Sequence, residues 1–289
     1  MLILFTDTDT DTTPEIAKEY GYNLISMPYS VGGKEIFPYE DFEVFDYQPF
    51  YAKLRKGTIP STSGISPSKY MNYFEPHFQN GNDILYVHFS TQLSGTFNAM
   101  NIAVDELLEK YPDRKFYTID TKAITICSLN IVREIGDLYK QGKTIDEIMD
   151  WAKEEVDKFA IYFYADDLKF FQRSGRVSNF KAIVGDFFGI KPIINIGSDG
   201  KMVSIGKGKG RIGALRKIIG YVEELQEDIK DHRVIIGHTD ALEIAEMLAE
   251  MLREKFGQDL NIEFVIVNPT AGSHCGPDGI GVSFHAKHR

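Results

Sequence analysis

Up to about residue 158, short apolar runs alternate with amphipathic stretches, and that rhythm leaves few folds open to the chain. Residues 2–6, 23–28, 84–89 and 116–119 read as strands, while 66–79, 94–110, 123–141 and 144–158 carry helical periodicity. Strands separated by whole helices pair in parallel through crossover connections. Thr144 followed by Glu147 predicts a capping box on the last of these helices. Residues 47–56 predict one more helix inside an aromatic and acidic connection.

Beyond about residue 159 the rhythm changes. Residues 160–164, 192–196 and 202–206 read as short strands, and Gly197-Ser198-Asp199-Gly200 predicts an antiparallel hairpin between the last two. Helices are expected at 211–227 and 241–256, with strands at 233–237, 261–267 and 281–285. The expected fold is therefore α/β in two domains. Residues 1–159 form a parallel α/β domain, and residues 160–289 form an α+β domain with a mainly antiparallel sheet. No repeat or low-complexity linker separates them, so the halves are expected to pack together with a ligand cleft between them.

Composition narrows the function. A net charge of -10 argues against a nucleic-acid surface spread over the molecule. Cys127 and Cys275 are too few for a disulfide framework and suit a reducing cytoplasm. The opening Met1-Leu2-Ile3-Leu4-Phe5 reads as a strand rather than a signal peptide, and no apolar run approaches the roughly 20 residues that span a bilayer. A cytoplasmic protein without a transmembrane segment is expected.

Three small-residue loops carry the chemistry. They are Thr62-Ser63-Gly64-Ile65-Ser66-Pro67, Ser90-Thr91-Gln92-Leu93-Ser94-Gly95-Thr96 and His274-Cys275-Gly276-Pro277-Asp278-Gly279-Ile280-Gly281. Hydroxyls, glycine amides and an imidazole so placed can surround a small anion with donors. Simple N-capping is the commoner role of the first loop's serines and threonine. The second neither matches a Walker loop nor a GxGxxG fingerprint, so phosphate or carboxylate fits it and a nucleotide does not. The third is expected to be a loop joining two strands. A basic segment containing Arg173, Gly175 and Arg176, and the run Lys207-Gly208-Lys209-Gly210-Arg211 after the hairpin, would supply a local positive patch on an acidic molecule. A solvated basic face is the plainer account of either. Neither zinc spacing nor a complete calcium loop is present, so no metal and no cofactor is expected.

Taken in order, Phe5-Thr6-Asp7-Thr8 with Asp11, the Thr62 loop, Leu93-Ser94-Gly95-Thr96, Tyr117-Thr118-Ile119-Asp120-Thr121, Asp166-Asp167-Leu168-Lys169 through Gly175-Arg176-Val177, Gly189-Ile190-Lys191-Pro192-Ile193 and His274-Cys275-Gly276-Pro277 resemble the motifs of the DegV family of bacterial fatty-acid-binding proteins. The resemblance covers nearly the whole chain. It implies a long-chain fatty acid buried across two domains, with no catalysis by this chain and presentation of the acid to a separate kinase subunit that makes the acyl phosphate. By motif it implies a ligand site of Thr62, Ser63, Ser94, Gly95, His274, Cys275 and Gly276. Thr62 and Ser94 would bind the carboxylate, and His274 would complete the site. Arg173, Arg176, Lys209 and Arg211 would face the kinase or its phosphate. Gly64 and Ile65 stand where the family usually has Gln and Pro; Cys275 and Asp278 stand for Thr and Gly; Lys209 stands for Arg.

The physical reading agrees. An alkyl chain in an apolar tunnel gains about 0.8 kcal/mol per methylene, and its buried carboxylate then requires donors. Ile183, Val184, Phe187 and Phe188 are candidates to line such a tunnel, with ordinary core packing as the alternative. Rival readings are a haloacid-dehalogenase-like phosphatase using Asp9 and Asp11, a serine hydrolase using Ser94 and His274, and a sugar-ketone binder with a covalent histidine.

Overall fold

The computed structural model describes residues 1–177 and 189–289. In the first half, strands β1 (Leu2–Asp7) and β2 (Tyr22–Ile25) flank helix α1 (Pro14–Tyr20). Two short strands follow, β3 (Tyr29–Val31) and β4 (Lys34–Ile36), then α2 (Tyr47–Arg55) and β5 (Ser61–Thr62). Next come α3 (Pro67–Gln79), β6 (Asp83–His88), α4 (Thr96–Lys110), β7 (Phe116–Asp120), α5 (Thr125–Lys140) and α6 (Ile145–Glu155). The order β2-β1-β6-β7 is parallel throughout. Its inner strands are almost wholly buried, as a parallel sheet covered on both faces requires.

The second half contains β8 (Phe159–Tyr164), α7 (Leu168–Ser174), β9 (Ile190–Ile196), β10 (Met202–Lys209), α8 (Gly210–Leu225) and β11 (Val234–His238). It ends with α9 (Leu242–Phe256), β12 (Ile262–Ile266), α10 (Pro269–Cys275) and β13 (Ile280–His285). The order β10-β9-β8-β13-β11-β12 is antiparallel except at β11–β12. The fold is thus α/β with a parallel first sheet and a mostly antiparallel second one, as the residue pattern predicts.

Helix α5 joins the two. It packs against β8, β11 and β13, and one apolar cluster runs from Ile84 and Leu85 through Ile131 to Ile161 and Ile235. Helices α8 and α9 cover the far face of the second sheet with Leu215, Ile218, Val222, Leu248 and Leu252. The site lies on the other face, between the sheets.

Several local expectations find their physical cause. Thr144 Oγ1 accepts from the Glu147 amide at 3.3 Å, and the Thr144 amide donates to Glu147 Oε2 at 2.8 Å, which is the capping box. The Gly200 amide donates to the Gly197 carbonyl at 2.9 Å in the expected hairpin turn. That turn also reaches the first half, where the Ser90 hydroxyl donates to the Gly200 carbonyl at 2.9 Å.

Other expectations are corrected. His274 and Cys275 do not begin a loop; they end helix α10, whose start is set by Asn268 accepting from the Ala271 amide at 2.9 Å and by Pro269 in the first turn. Lys207 and Lys209 lie within β10 rather than after it, and α8 begins at Gly210. The β3–β4 hairpin was unforeseen, although Gly32 and Gly33, both at positive φ, form the two-residue turn such a hairpin favours.

Candidate functional site

The three loops converge on one cavity of about 350 Å³. Thr62, Ser63, Gly64 and Ile65 reach it from the end of β5, and Leu93, Ser94, Gly95 and Thr96 from the start of α4. His274 and Cys275 reach it from the end of α10. Its remaining wall is mainly apolar: Met27, Phe89, Ile124, Ile126, Ile161, Phe163, Phe171 and Val267. Ile183, Val184, Phe187 and Phe188 lie outside the described residues.

Local bonding decides which groups are free to meet a ligand. Thr62 Oγ1 is 2.8 Å from His274 Nε2. Ser94 Oγ accepts from the Thr96 amide at 3.2 Å, which leaves its own proton to donate elsewhere. Ser63 lines the cavity, but its hydroxyl donates to Glu35 Oε1 at 2.6 Å. A Cβ on Gly95 would meet nothing within 4 Å, so at this position the backbone lies open to a ligand. Gly276 is different: at φ 72 its missing Cβ makes room for the Phe170 ring, which would lie 2.3 Å away. It shapes the turn and is absent from the cavity wall.

Two departures from the resembled family acquire reasons. The Ile65 amide donates to Thr96 Oγ1 at 3.1 Å, a bond that proline cannot make. Asp278 adopts φ 63, a conformation natural to glycine and tolerable to aspartate, and its carboxylate pairs with Arg55 at 2.8 Å.

The site's electrostatics follow from burial. Burial, helped by the Arg176 guanidinium, pushes His274 down to about 4, so the ring is neutral at pH 7. Burial, with Asp11 nearby, pushes the Cys275 thiol up to about 12. Arg176 lines the cavity while remaining exposed at residue level, which places it at the mouth. Its guanidinium donates to the Ser174 carbonyl at 2.6 Å. Arg173 and Lys209 are exposed. Arg211 is tied to Asp166 at 3.0 Å and approaches Asp278 at 3.9 Å.

Asp9 also lines the cavity, although its sequence context suggests only an incomplete calcium loop or the phosphatase rival. The geometry disfavours that rival. Asp11 accepts from both the amide and the side-chain nitrogen of Asn268 at 2.8 Å, while Asp166 is engaged by Lys191 and Arg211. Burial first, then Asp7 and Asp11, raises Asp9 well above the carboxylate range, which suits a protonated acid and not a nucleophile. Among the described residues, no three His, Cys, Asp or Glu side chains are grouped to hold a metal. The hydrolase pair is not formed either, since His274 Nε2 meets Thr62 and Ser94 meets the Thr96 amide. No helix among the described residues is long and apolar enough to cross a membrane.

Comparison with known proteins places this geometry among relatives. The sequence model of the DegV family matches residues 1–287. A DegV domain-containing protein of Clostridium perfringens is 34% identical over 283 residues, covering 98% of this chain and 96% of that protein. A solved structure described as fatty acid binding of a DegV family protein from Thermus thermophilus superposes with a TM-score of 0.86 at 20% identity, covering 99% of each chain. A DegV family protein of Ruminococcus gnavus, solved with vaccenic acid, superposes with a TM-score of 0.85 at 20% identity over 98% of this chain and 99% of that one.

Proposed function

This chain belongs to the DegV family, and we propose that it is a non-catalytic carrier that holds one long-chain fatty acid in the cavity between its sheets. The observation that carries the reading is the asymmetry of that cavity. Its wall is mostly hydrocarbon, yet Thr62, Ser94, Gly95 and His274 gather on it as neutral donors. An apolar chain gains about 0.8 kcal/mol per buried methylene, while an unpaired carboxylate would forfeit several kcal/mol. A ligand with one acid terminus and a long alkyl tail answers both demands. The fatty acid binding described for the Thermus thermophilus protein and the vaccenic acid held by the Ruminococcus gnavus protein support the same class.

In this reading the carboxylate accepts from the Thr62 and Ser94 hydroxyls and from loop amides at Gly95. His274 acts through Thr62: an Nε2–H donated to Thr62 Oγ1 turns the threonine proton towards the ligand. Residues 1–159 and 160–289 are the two domains that close over it. Arg173, Arg176, Lys209 and Arg211 form the face offered to a kinase subunit that phosphorylates the held acid. Arg211, already paired with Asp166, would contribute there only by exchanging partners.

Native mass spectrometry of the purified and then delipidated protein tests the reading. One bound acid is expected on isolation and again after addition of oleate or palmitate. A protein that emerges empty and stays empty would remove it.

A further inference from the structure

The turn after β1 places a carboxyl group on the cavity wall with one oxygen unsatisfied. Asp9 is 6% exposed, lines the cavity, and its Oδ1 has no hydrogen-bond partner among the described residues. Its neighbours in sequence are committed: Asp7 accepts from the Tyr86 hydroxyl at 3.0 Å and the Asp9 amide at 3.0 Å, and Asp11 is held by Asn268. A buried polar oxygen without a partner costs free energy unless something supplies one.

We propose that Asp9 is a proton-carrying partner of the ligand's head group: its neutral carboxyl donates to the bound carboxylate, so a proton is taken up with the ligand. The proposal rests on the fatty-acid reading and adds a residue and a pH dependence to it. Two carboxyl groups within hydrogen-bond reach of each other resist ionising together, and a shared proton turns repulsion into a short charge-assisted bond.

The surroundings favour the protonated form. Asp7 and Asp11 press from the same turn. The Tyr70 and Tyr86 phenols, from α3 and β6, stay protonated, since burial raises both. Arg176 opposes from the mouth, where its guanidinium also acts on His274, and Asp9, His274 and Arg176 all line the cavity. His274 is neutral and Cys275 protonated in the range that matters.

The sign is fixed by linkage. An ionised ligand raises the Asp9 pKa further, so binding absorbs protons between the free and the liganded value. Affinity is constant below the free value and weakens by up to about tenfold per pH unit above it.

Titration of the delipidated full-length protein with fluorescent cis-parinaric acid from pH 6 to 10 tests this. Wild-type affinity should fall as pH rises, Asp9→Asn should bind within about threefold of wild type at pH 6 and lose the pH dependence, and Asp11→Asn should keep it. Calorimetry of the wild type in two buffers of different ionisation enthalpy provides a second measure, with uptake approaching one proton per ligand expected. A flat wild-type profile without proton uptake, or a slope that survives in Asp9→Asn, overturns the assignment. A wild type that binds no fatty acid at any pH removes the functional reading and this proposal with it.

Discussion

Thr62 Oγ1 and His274 Nε2 lie 2.8 Å apart, although 212 residues of chain separate them. The bond ties the sheet edge at β5 to the end of α10 and so fixes one donor against the cavity. Because the imidazole is neutral, it can hand a hydrogen to Thr62 without bringing charge into an apolar space. Replacing His274 with alanine leaves the Thr62 hydroxyl free to rotate. Fatty-acid affinity should fall about tenfold, equivalent to ~1.4 kcal/mol, with little change in melting temperature. Unchanged affinity in a displacement titration would detach this pair from the head group.

The same histidine leaves a mark on stability. Its pKa is about 6.5 when unfolded and about 4 in the fold. Between those values the unfolded chain binds more protons, so His274 withdraws stability as pH falls from 6.5 towards 4. His274→Gln lacks that loss. The variant is therefore expected to gain on the wild type between pH 7.5 and pH 4.5 in urea unfolding, whatever offset separates them at pH 7.5. A constant offset would mean that the ring takes up its proton at the same pH in the fold as in the unfolded chain.

Ser94 has a separable role. Its oxygen accepts from the Thr96 amide in the turn that leads into α4, and its proton is available to the cavity. Ser94→Ala should cost about 0.5–1 kcal/mol of stability through the lost hydrogen bond and weaken acyl binding by about tenfold. Ser94→Thr keeps both functions and should restore most of the stability. If binding is indifferent to the alanine, the hydroxyl does not face the carboxylate.

The strands and helices were legible because their signals are local. The run at residues 84–89 and the Thr144–Glu147 pair each specify structure within a few residues. Helix α10 had a local signal too, Asn268 before Pro269, but the glycines after Cys275 suggested a loop and outweighed it. What no local pattern carries is the assignment of partners. Ser63 and Thr62 are adjacent, yet one donates to Glu35 and the other meets His274. Asp9 looked like part of a nucleophile motif, and only the packing of its turn against α5 and the cavity reveals an unsatisfied buried acid.

Gly272 gives the sharpest test of how α10 is held. Helix propensity alone favours alanine there by about 1 kcal/mol. In this helix, however, an added Cβ would fall 2.4 Å from the Tyr51 hydroxyl and 3.1 Å from its Cζ. Tyr51 cannot retreat freely: it is fully buried and its hydroxyl donates to the Val267 carbonyl at 2.9 Å. Gly272→Ala should therefore destabilise by about 1–3 kcal/mol and, by displacing the helix that carries His274, weaken acyl binding as well. Tyr51→Phe removes the nearest clashing atom at the cost of the Val267 bond, so the two changes should be less costly together than their sum. A double-mutant cycle by urea unfolding measures that coupling. Strict additivity would show that the α10 backbone accepts the methyl group without touching Tyr51, and the steric tie between α2 and the His274 helix would be lost.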